Sequence, residues 1–334
     1  MTDLNQKKIL LVMPNFFGYE KLLATKLRAR GATVVFWGDR PSVGTISKVI
    51  TRIDPALSKP WADPYFRKLM SREEKNSFDF ILVIKGEALS RKVTEELFDY
   101  FPRARKILYL WDSFRNSKGA ASKKDLFDSV LTFDRADAQQ HNVQFRPLFF
   151  ADTYRQKNMQ SKASIDLLFV GTAHTDRYKV IKKIQRSLGP DAKVFFYFFL
   201  ANKLIYWFRK LFDTRLKGAS IEEFHFTALS ATENAEMFRS AIAVVDVERN
   251  VQVGLTMRTL EVLAAEKKLI TTNADIAAYD FYNPKNILIV DRENPVVPQG
   301  FLSADYATVP TGIMDRYSLD GWIDEVFTPT TKRL

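Results

Sequence analysis

One stretch of this chain, QVGLTMRTLEVLAAEKKLITTN (Gln252–Asn273), places an alcohol, a cation and a carboxylate where a nucleotide could use them. Gly254 and Leu255 close an irregular loop, and Thr256 is positioned to cap the helix that follows. The backbone N–H groups of Met257, Arg258 and Thr259 are then free at the positive end of a helix, and Arg258 adds a guanidinium that can grip a phosphate with two parallel bonds. Glu261 follows about one turn later, at a reach that suits ribose hydroxyls. An ordinary capped helix with solvated charges carries the same pattern. A second segment, Gly171-Thr172-Ala173-His174-Thr175-Asp176-Arg177, follows an apolar run and sets small residues where backbone can approach a ligand. A plain strand-to-helix turn capped by Thr175 reads the same way, and a single loop histidine such as His174 carries little weight alone. Two carboxylates, Asp112 at the end of LYLWD and Glu87 after Lys85-Gly86, are candidates for a general base toward a hydroxyl. Either would serve equally to cap a helix or pin a loop.

The same inventory narrows the chemistry. There is no cysteine, which excludes a disulfide framework, a thiolate metal site and a cysteine nucleophile. The three histidines, His141, His174 and His225, are far apart in sequence, which argues against a histidine-rich metal site. No Asp-x-Asp pair follows an apolar strand in the manner of a metal-bound diphosphate site. We therefore expect no metal and no other cofactor.

Groups so placed need a scaffold, and the hydrophobic pattern supplies one. Strand-length apolar runs at Ile9–Met13, Ala32–Gly38, Phe78–Gly86, Lys106–Asp112, Ser129–Asp134 and Phe145–Phe150 alternate with helical patterns over Tyr19–Arg30 and Arg91–Tyr100. Ala151–Ser164 is polar and aperiodic and reads as a linker. The rhythm then resumes: strands at Ile165–Thr172, Lys193–Leu200, around EFHFTAL, Ile242–Glu248, Lys268–Asn273 and Asn286–Asp291, and helices over Arg177–Ser187, Ala231–Ser240 and Met257–Glu266. Strand–helix alternation predicts an α/β protein of two doubly wound parallel sheets. Its 334 residues suit two such domains, over residues 1–155 and 156–312, with a C-terminal helix within Met314–Phe327 (residues 313–334) packing back on the first. Ligands of open parallel sheets lie beyond the carboxyl ends of the strands. That rule selects Asn15–Gly18, Lys85–Glu87, Trp111–Ser113 and Asp134 in the first domain. In the second it selects Gly171–Arg177, Asp246–Gln252, Gly254–Glu261 and Asn273.

The formal charge of +11 is uneven: residues 1–150 hold 26 Lys and Arg against 17 Asp and Glu, net +9, and residues 151–334 hold 24 against 22, net +2. The first half should attract an anionic partner, whether nucleic acid, a phospholipid surface or a pyrophosphate-linked acceptor. Nucleic acid is disfavoured, because the basic residues are scattered rather than gathered in one arm or recognition helix. The N-terminal ILLVM is too short for a signal peptide or a membrane span, so a cytoplasmic location is expected. KVFFYFFLANKLIYWFRKLFDTRLK (Lys193–Lys217) joins dense aromatics to basic residues. Its first part is core strand. Ile205–Lys217 fits either a helix packed on the sheet or a basic amphipathic helix lying on an anionic membrane.

Taken together, QVGLTMRTLEVLAAEKKLITTN, the following YDFYNPKNILIVD and the earlier strings FFGYE, DRP, ILVIKGE, LYLWDSFRN, FDRADA and FRPLFF resemble bacterial capsular and lipopolysaccharide biosynthesis proteins. These are related to the spore-maturation-protein-like glycosyltransferases of GT-B fold, two Rossmann-like domains facing a cleft. The resemblance runs from about Lys8 to Asp291. It implies sugar transfer from a nucleotide-sugar donor held by the second domain to a lipid-linked or glycan acceptor held by the first, near the inner membrane surface. The donor side would then comprise Gly171, Thr172, His174, Arg177, Gln252, Gly254, Leu255, Thr256, Arg258 and Glu261, with Glu261 matching a ribose-holding glutamate. The acceptor side would comprise Phe17, Gly18, Lys85, Trp111 and Ser113, with Asp112 or Glu87 as base. Many retaining members carry a further glutamate eight positions before the ribose-binding one; here that position is Val253. The departure points toward inversion. Two other classes share the architecture: a sugar-nucleotide epimerase, for which the basic first domain has no use, and a non-catalytic nucleotide- or nucleic-acid-binding module.

Overall fold

The computed structural model describes residues 2–16, 18–39, 59–156, 163–216, 218–249 and 253–328. The chain divides into two compact units, Met1–Leu148 with Leu319–Leu334, and Phe149–Ser318.

In the first unit, strands β1 (Lys8–Met13), β2 (Thr33–Gly38), β3 (Phe80–Ile84), β4 (Arg105–Leu110), β5 (Ser129–Thr132) and β6 (Gln144–Phe145) form one parallel sheet in the order β2-β1-β3-β4-β5-β6. Helices cover both faces, so the strands are apolar without alternation: Ile9 to Met13 and Ile81 to Ile84 are all buried. The chain end completes this unit. Helix Leu319–Phe327 buries Trp322 edge-on to Tyr109 at 4.8 Å and sets Phe327 against Phe80 at 5.2 Å. Arg30 bridges Asp320 and Asp324 of that helix at 2.7 Å each.

The second unit repeats the plan. Strands β7 (Ile165–Thr172), β8 (Val194–Phe199), β9 (Phe224–His225), β10 (Ala241–Asp246), β11 (Lys268–Thr271) and β12 (Ile287–Ile289) are parallel in the order β12-β11-β10-β7-β8-β9. Each sheet has one place where successive crossovers run in opposite directions: between β1 and β3, and between β7 and β10. Such a switch point leaves a crevice past the strand ends, the usual ligand site of open α/β sheets.

Three expectations are corrected. The apolar run Phe145–Phe150 is strand only at Gln144–Phe145, because Pro147 cannot donate to a ladder. The expected linker Ala151–Ser164 begins inside the second unit: Ala151 and Tyr154 are buried, and Tyr154 packs on Phe238 at 5.7 Å. Residues 157–162 of it lie outside the described residues. The single C-terminal helix is two, Thr311–Tyr317 and Leu319–Phe327. Ser318 between them is extended and pairs with Phe150, whose N–H donates to the Tyr317 carbonyl at 3.0 Å. The second unit accordingly runs from Phe149 to Ser318 rather than from 156 to 312.

Candidate functional site

The second unit's switch point brings together the loop after β7 and the loop after β10. Residues Gly171 to Asp176 leave β7; Val247 to Arg249 leave β10. Arg177, the first residue of helix Arg177–Arg186, is buried between them, donating from Nε to the Val247 carbonyl at 2.5 Å and from Nη1 to the Thr172 carbonyl at 3.4 Å. Burial, and then the like charge of Arg258, lower its pKa to about 10, so it remains a cation at neutral pH.

Helix Met257–Ala264 points its N-terminus at the same loops. Thr256 is its N-cap, accepting from the Thr259 N–H at 3.3 Å and donating to Asp246 Oδ2 at 2.5 Å. Thr259 adds a second hydroxyl to that oxygen at 2.8 Å. The expectation that Thr259 N–H is free is therefore corrected, because the cap takes it. Arg258 lies 3.5 Å from Asp246 Oδ1, with its guanidinium over the Phe169 ring at 5.7 Å. It also packs on Gly171, where an added Cβ would meet Nη2 at 3.1 Å and Nη1 at 3.2 Å. A glycine at that position lets the cation lie along the strand end. Arg258 Nε is buried with no hydrogen-bond partner among the described residues. Leu255 is buried, so its side chain serves the core and only its backbone remains for a ligand. Gly254 is buried beside it, and Gln252 lies outside the described residues.

His174 sits among cations. Burial first, then Arg177, Arg249, Arg258 and Arg209, depress its pKa to about 3, so the ring is neutral at physiological pH. Its Nδ1 is 3.2 Å from Thr175 Oγ1. Arg209 reaches the loop from helix Lys203–Phe212 and donates to the Ala173 carbonyl. Thr175 adopts φ +52°, a left-handed conformation costly for a β-branched residue, and the loop around it is tied down. Arg292, beyond β12, grips both Asp176 oxygens at 2.8 and 2.9 Å, Glu248 Oε1 at 2.8 Å and the Glu248 carbonyl at 2.8 Å. Arg292 also holds the Asp176 carboxyl below its usual range. Asn273 braces the next loop, donating to the Val253 carbonyl at 2.9 Å.

Four arginines (Arg177, Arg209, Arg249 and Arg258), a neutral histidine and a helix N-terminus thus surround one loop, with Glu248 already engaged by Arg292. That arrangement suits a multiply charged anion such as a diphosphate. Glu261 is placed differently. It is buried and accepts from the Tyr154 hydroxyl, to which Asn234 Nδ2 donates at 2.8 Å.

In the first unit, Asp112 leaves β4 with Oδ1 accepting from Ser113 N–H and Asn116 Nδ2, both at 3.0 Å, and Oδ2 lies 3.4 Å from Lys85 Nζ. Lys85 has φ +69° and is followed by Gly86 at φ +62°, a turn that lifts its ammonium toward Asp112. The buried Lys123 supports this turn by donating to the carbonyls of Gly86 (2.7 Å) and Leu89. Trp111 meets Phe16 at 5.7 Å and Tyr19 at 6.5 Å. Gly18 opens helix Tyr19–Ala29 at φ +83°. Ser113 is buried, and Phe17 lies outside the described residues. Glu87 faces elsewhere: it accepts from Ala120 N–H at 3.3 Å and packs on Gly119, fixing the short helix Lys118–Ala121.

Sequence reasoning missed Arg209 and Arg292. Arg292 follows the apolar β12 and was open to the strand-end rule. Arg209 lies inside an amphipathic segment, where nothing marks one basic residue above another.

No family model matches the sequence, and no curated protein matches it significantly. Solved structures do match the chain. HepE of Anabaena, solved with UDP and glucose, superimposes at TM-score 0.61 with 10% identity, covering 96% of this chain and 99% of that one. A glycosyltransferase of Rickettsia africae gives 0.61 at 11% identity, covering 96% and 97%. The UDP-GlcNAc 2-epimerase of Methanocaldococcus jannaschii gives 0.52 at 9%, covering 96% and 99%. With two parallel six-stranded sheets matched over nearly the whole length, the fold of this chain is GT-B.

Proposed function

We propose that this chain is a glycosyltransferase that takes its sugar from a nucleoside-diphosphate sugar bound at the β7/β10 switch point. The observation that carries the reading is the convergence of Arg177, Arg249 and Arg258 on the loop around His174, at the N-terminus of helix Met257–Ala264. Fixed cations and backbone donors there would stabilise the diphosphate as it leaves, the kind of preorganised electrostatics that supplies most of the rate in such chemistry. Because arginines provide this charge, the reaction is proposed to need no metal.

The acceptor is assigned to the first unit, with Asp112 as the base that takes the proton of the attacking hydroxyl. Its carboxylate is oriented by Ser113, Asn116 and Lys85, whereas that of Glu87 is engaged with a helix start. Val253 in place of a retaining-type glutamate favours inversion. The resemblance in sequence and the +9 of residues 1–150 support a capsule, lipopolysaccharide or exopolysaccharide precursor as acceptor, carried on an anionic lipid pyrophosphate at the cytoplasmic face.

The test is melting of the purified chain with UDP, other nucleoside diphosphates and their sugars, with and without EDTA. A ligand at 100 times its Kd stabilises by about 2.7 kcal/mol. A shift with one nucleotide family, unchanged by EDTA, is expected. No shift with any nucleotide would remove the donor assignment, and loss of the shift in EDTA would remove metal independence. Because an epimerase shares the fold, incubation with UDP-GlcNAc alone separates the classes: isomerisation without acceptor would replace the transfer reading.

A further inference from the structure

Helix Lys203–Phe212 is anchored on one side only. Tyr206 is fully buried, its hydroxyl donating to the Ala219 carbonyl at 3.0 Å and its ring 5.1 Å from Phe224. Arg209, on the same side, pairs with Asp213 at 3.1 Å. The other side carries Leu204, Trp207, Phe208, Leu211 and Phe212, which are between 56% and 79% exposed. At 100° per residue these five fill an arc of about 140°. So wide an apolar stripe facing water weakens solubility and marks a surface that meets something.

The margins of the stripe say what it meets. Lys203 and Lys210 border one edge, with Lys210 Nζ 5.8 Å above the Trp207 ring and donating to the Ala219 carbonyl at 3.0 Å, and Arg215 follows the helix. The one carboxylate between Lys203 and Leu216 is Asp213, held by Arg209 and by Arg215 at 2.7 Å. A second copy would bring these basic margins against each other. A helix of ten residues is too short to span a bilayer, and among the described residues no helix is long and apolar enough to do so. A short basic helix with a broad aromatic face suits the interfacial plane of an anionic membrane, where the apolar side enters the headgroup–acyl boundary.

We propose that the Leu204, Trp207, Phe208, Leu211 and Phe212 face seats the protein on an anionic lipid bilayer, with Lys203 and Arg215 toward lipid phosphates. This deepens the reading of a lipid-borne acceptor and rests on it only for which membrane is involved. The net charge of the whole chain, +11, adds long-range attraction at low salt.

The test is flotation of the full chain with vesicles, without donor or acceptor, so it stands whether or not sugar transfer is found. Vesicles of phosphatidylcholine with about one third phosphatidylglycerol should capture at least about tenfold more protein than phosphatidylcholine alone, and high salt should abolish most of that difference. Leu204→Ser, Trp207→Ser and Leu211→Ser combined should lower capture by about tenfold or more while the melting temperature holds. Lys203→Gln with Arg215→Gln should remove much of the preference for anionic lipid. Wild-type protein that stays unbound with both vesicle types would overturn the proposal. So would a folded triple variant that floats like wild type, or a wild-type dimer that the triple variant dissolves without vesicle binding, which would give the face to a second copy.

Discussion

Replacing Arg258 by Met should separate what this arginine does for a ligand from what it does for the fold. For the ligand, the variant loses charge-assisted bonds to phosphate oxygens, each system of this kind contributing about 1.5–3 kcal/mol. That corresponds to roughly 10- to 150-fold weaker nucleotide binding. For the fold, it removes the cation 3.5 Å from Asp246, a carboxylate buried at the end of β10. Breaking a buried pair by deleting one partner costs about 3–5 kcal/mol when the remaining charge is uncompensated. Here Thr256 and Thr259 still donate to Asp246 Oδ2 at 2.5 and 2.8 Å, so we expect about 1–2 kcal/mol, or a melting point roughly 2–8 °C lower. Adding Asp246→Asn should return most of the stability and none of the affinity, because it removes the stranded charge without restoring a phosphate ligand. Calorimetric titration with UDP and thermal melts of the wild type, both single variants and the double variant make the cycle. An Arg258→Met protein that melts lower yet binds within about twofold of wild type would refute the phosphate role. So would recovery of affinity in the double variant.

The buried ring of His174 makes a pH prediction of definite sign. It protonates near 3 in the folded state and near 6.5 in the unfolded chain, so its stabilisation is complete above pH 6.5 and drains away as pH falls toward 3. Unfolding free energy measured in urea should fall by up to about 1.4 kcal/mol per pH unit in that window, and His174→Gln should flatten it. The loss tied to Asp176, whose carboxyl Arg292 holds low, should remain at the acid end; an unchanged slope in His174→Gln would contradict the assignment. For catalysis, Asp112→Asn should lower transfer by about 10²- to 10⁴-fold with donor binding intact, while Glu87→Gln should leave the rate within a few-fold and lower stability. The reverse ranking in a coupled nucleoside diphosphate release assay would exchange their roles.

Much of this architecture was written locally. The β7 run ends in Gly171-Thr172 and the Met257–Ala264 helix begins at a capping threonine, so neighbours in sequence were enough to locate both. The tail helix was visible for the same reason, since Leu319, Trp322, Ile323, Val326 and Phe327 repeat at helical spacing and all are buried. Distance along the chain hid the rest. Arg292 meets Asp176 across 116 positions, and only the strand order, which brings β10 beside β7, shows that their loops adjoin. Tyr154 has the sequence setting of a linker because its neighbours are polar. Its burial against Phe238 then changes the setting of Glu261, which contacts the tyrosine hydroxyl. Ser318 gave no hint of ending a helix, because its partner is Phe150, a residue of a distant segment.

The Arg292 clamp has a consequence for how the site comes into being. It joins Asp176 from the loop after β7 to Glu248 from the loop after β10, yet Arg292 itself follows the edge strand β12. A nascent or partly folded second unit can pair β7 with β8 and β10 before β12 docks, because those pairings do not depend on the edge. In that interval the loop around His174 lacks its fastener, and contacts so distant in sequence are entropically slow to form. Competence to hold a nucleotide would then arrive late, with the final strand, so nucleotide binding reports completion of the sheet rather than its nucleation. A chain ending shortly after β11 would keep much of its secondary structure and still have no organised loop to offer.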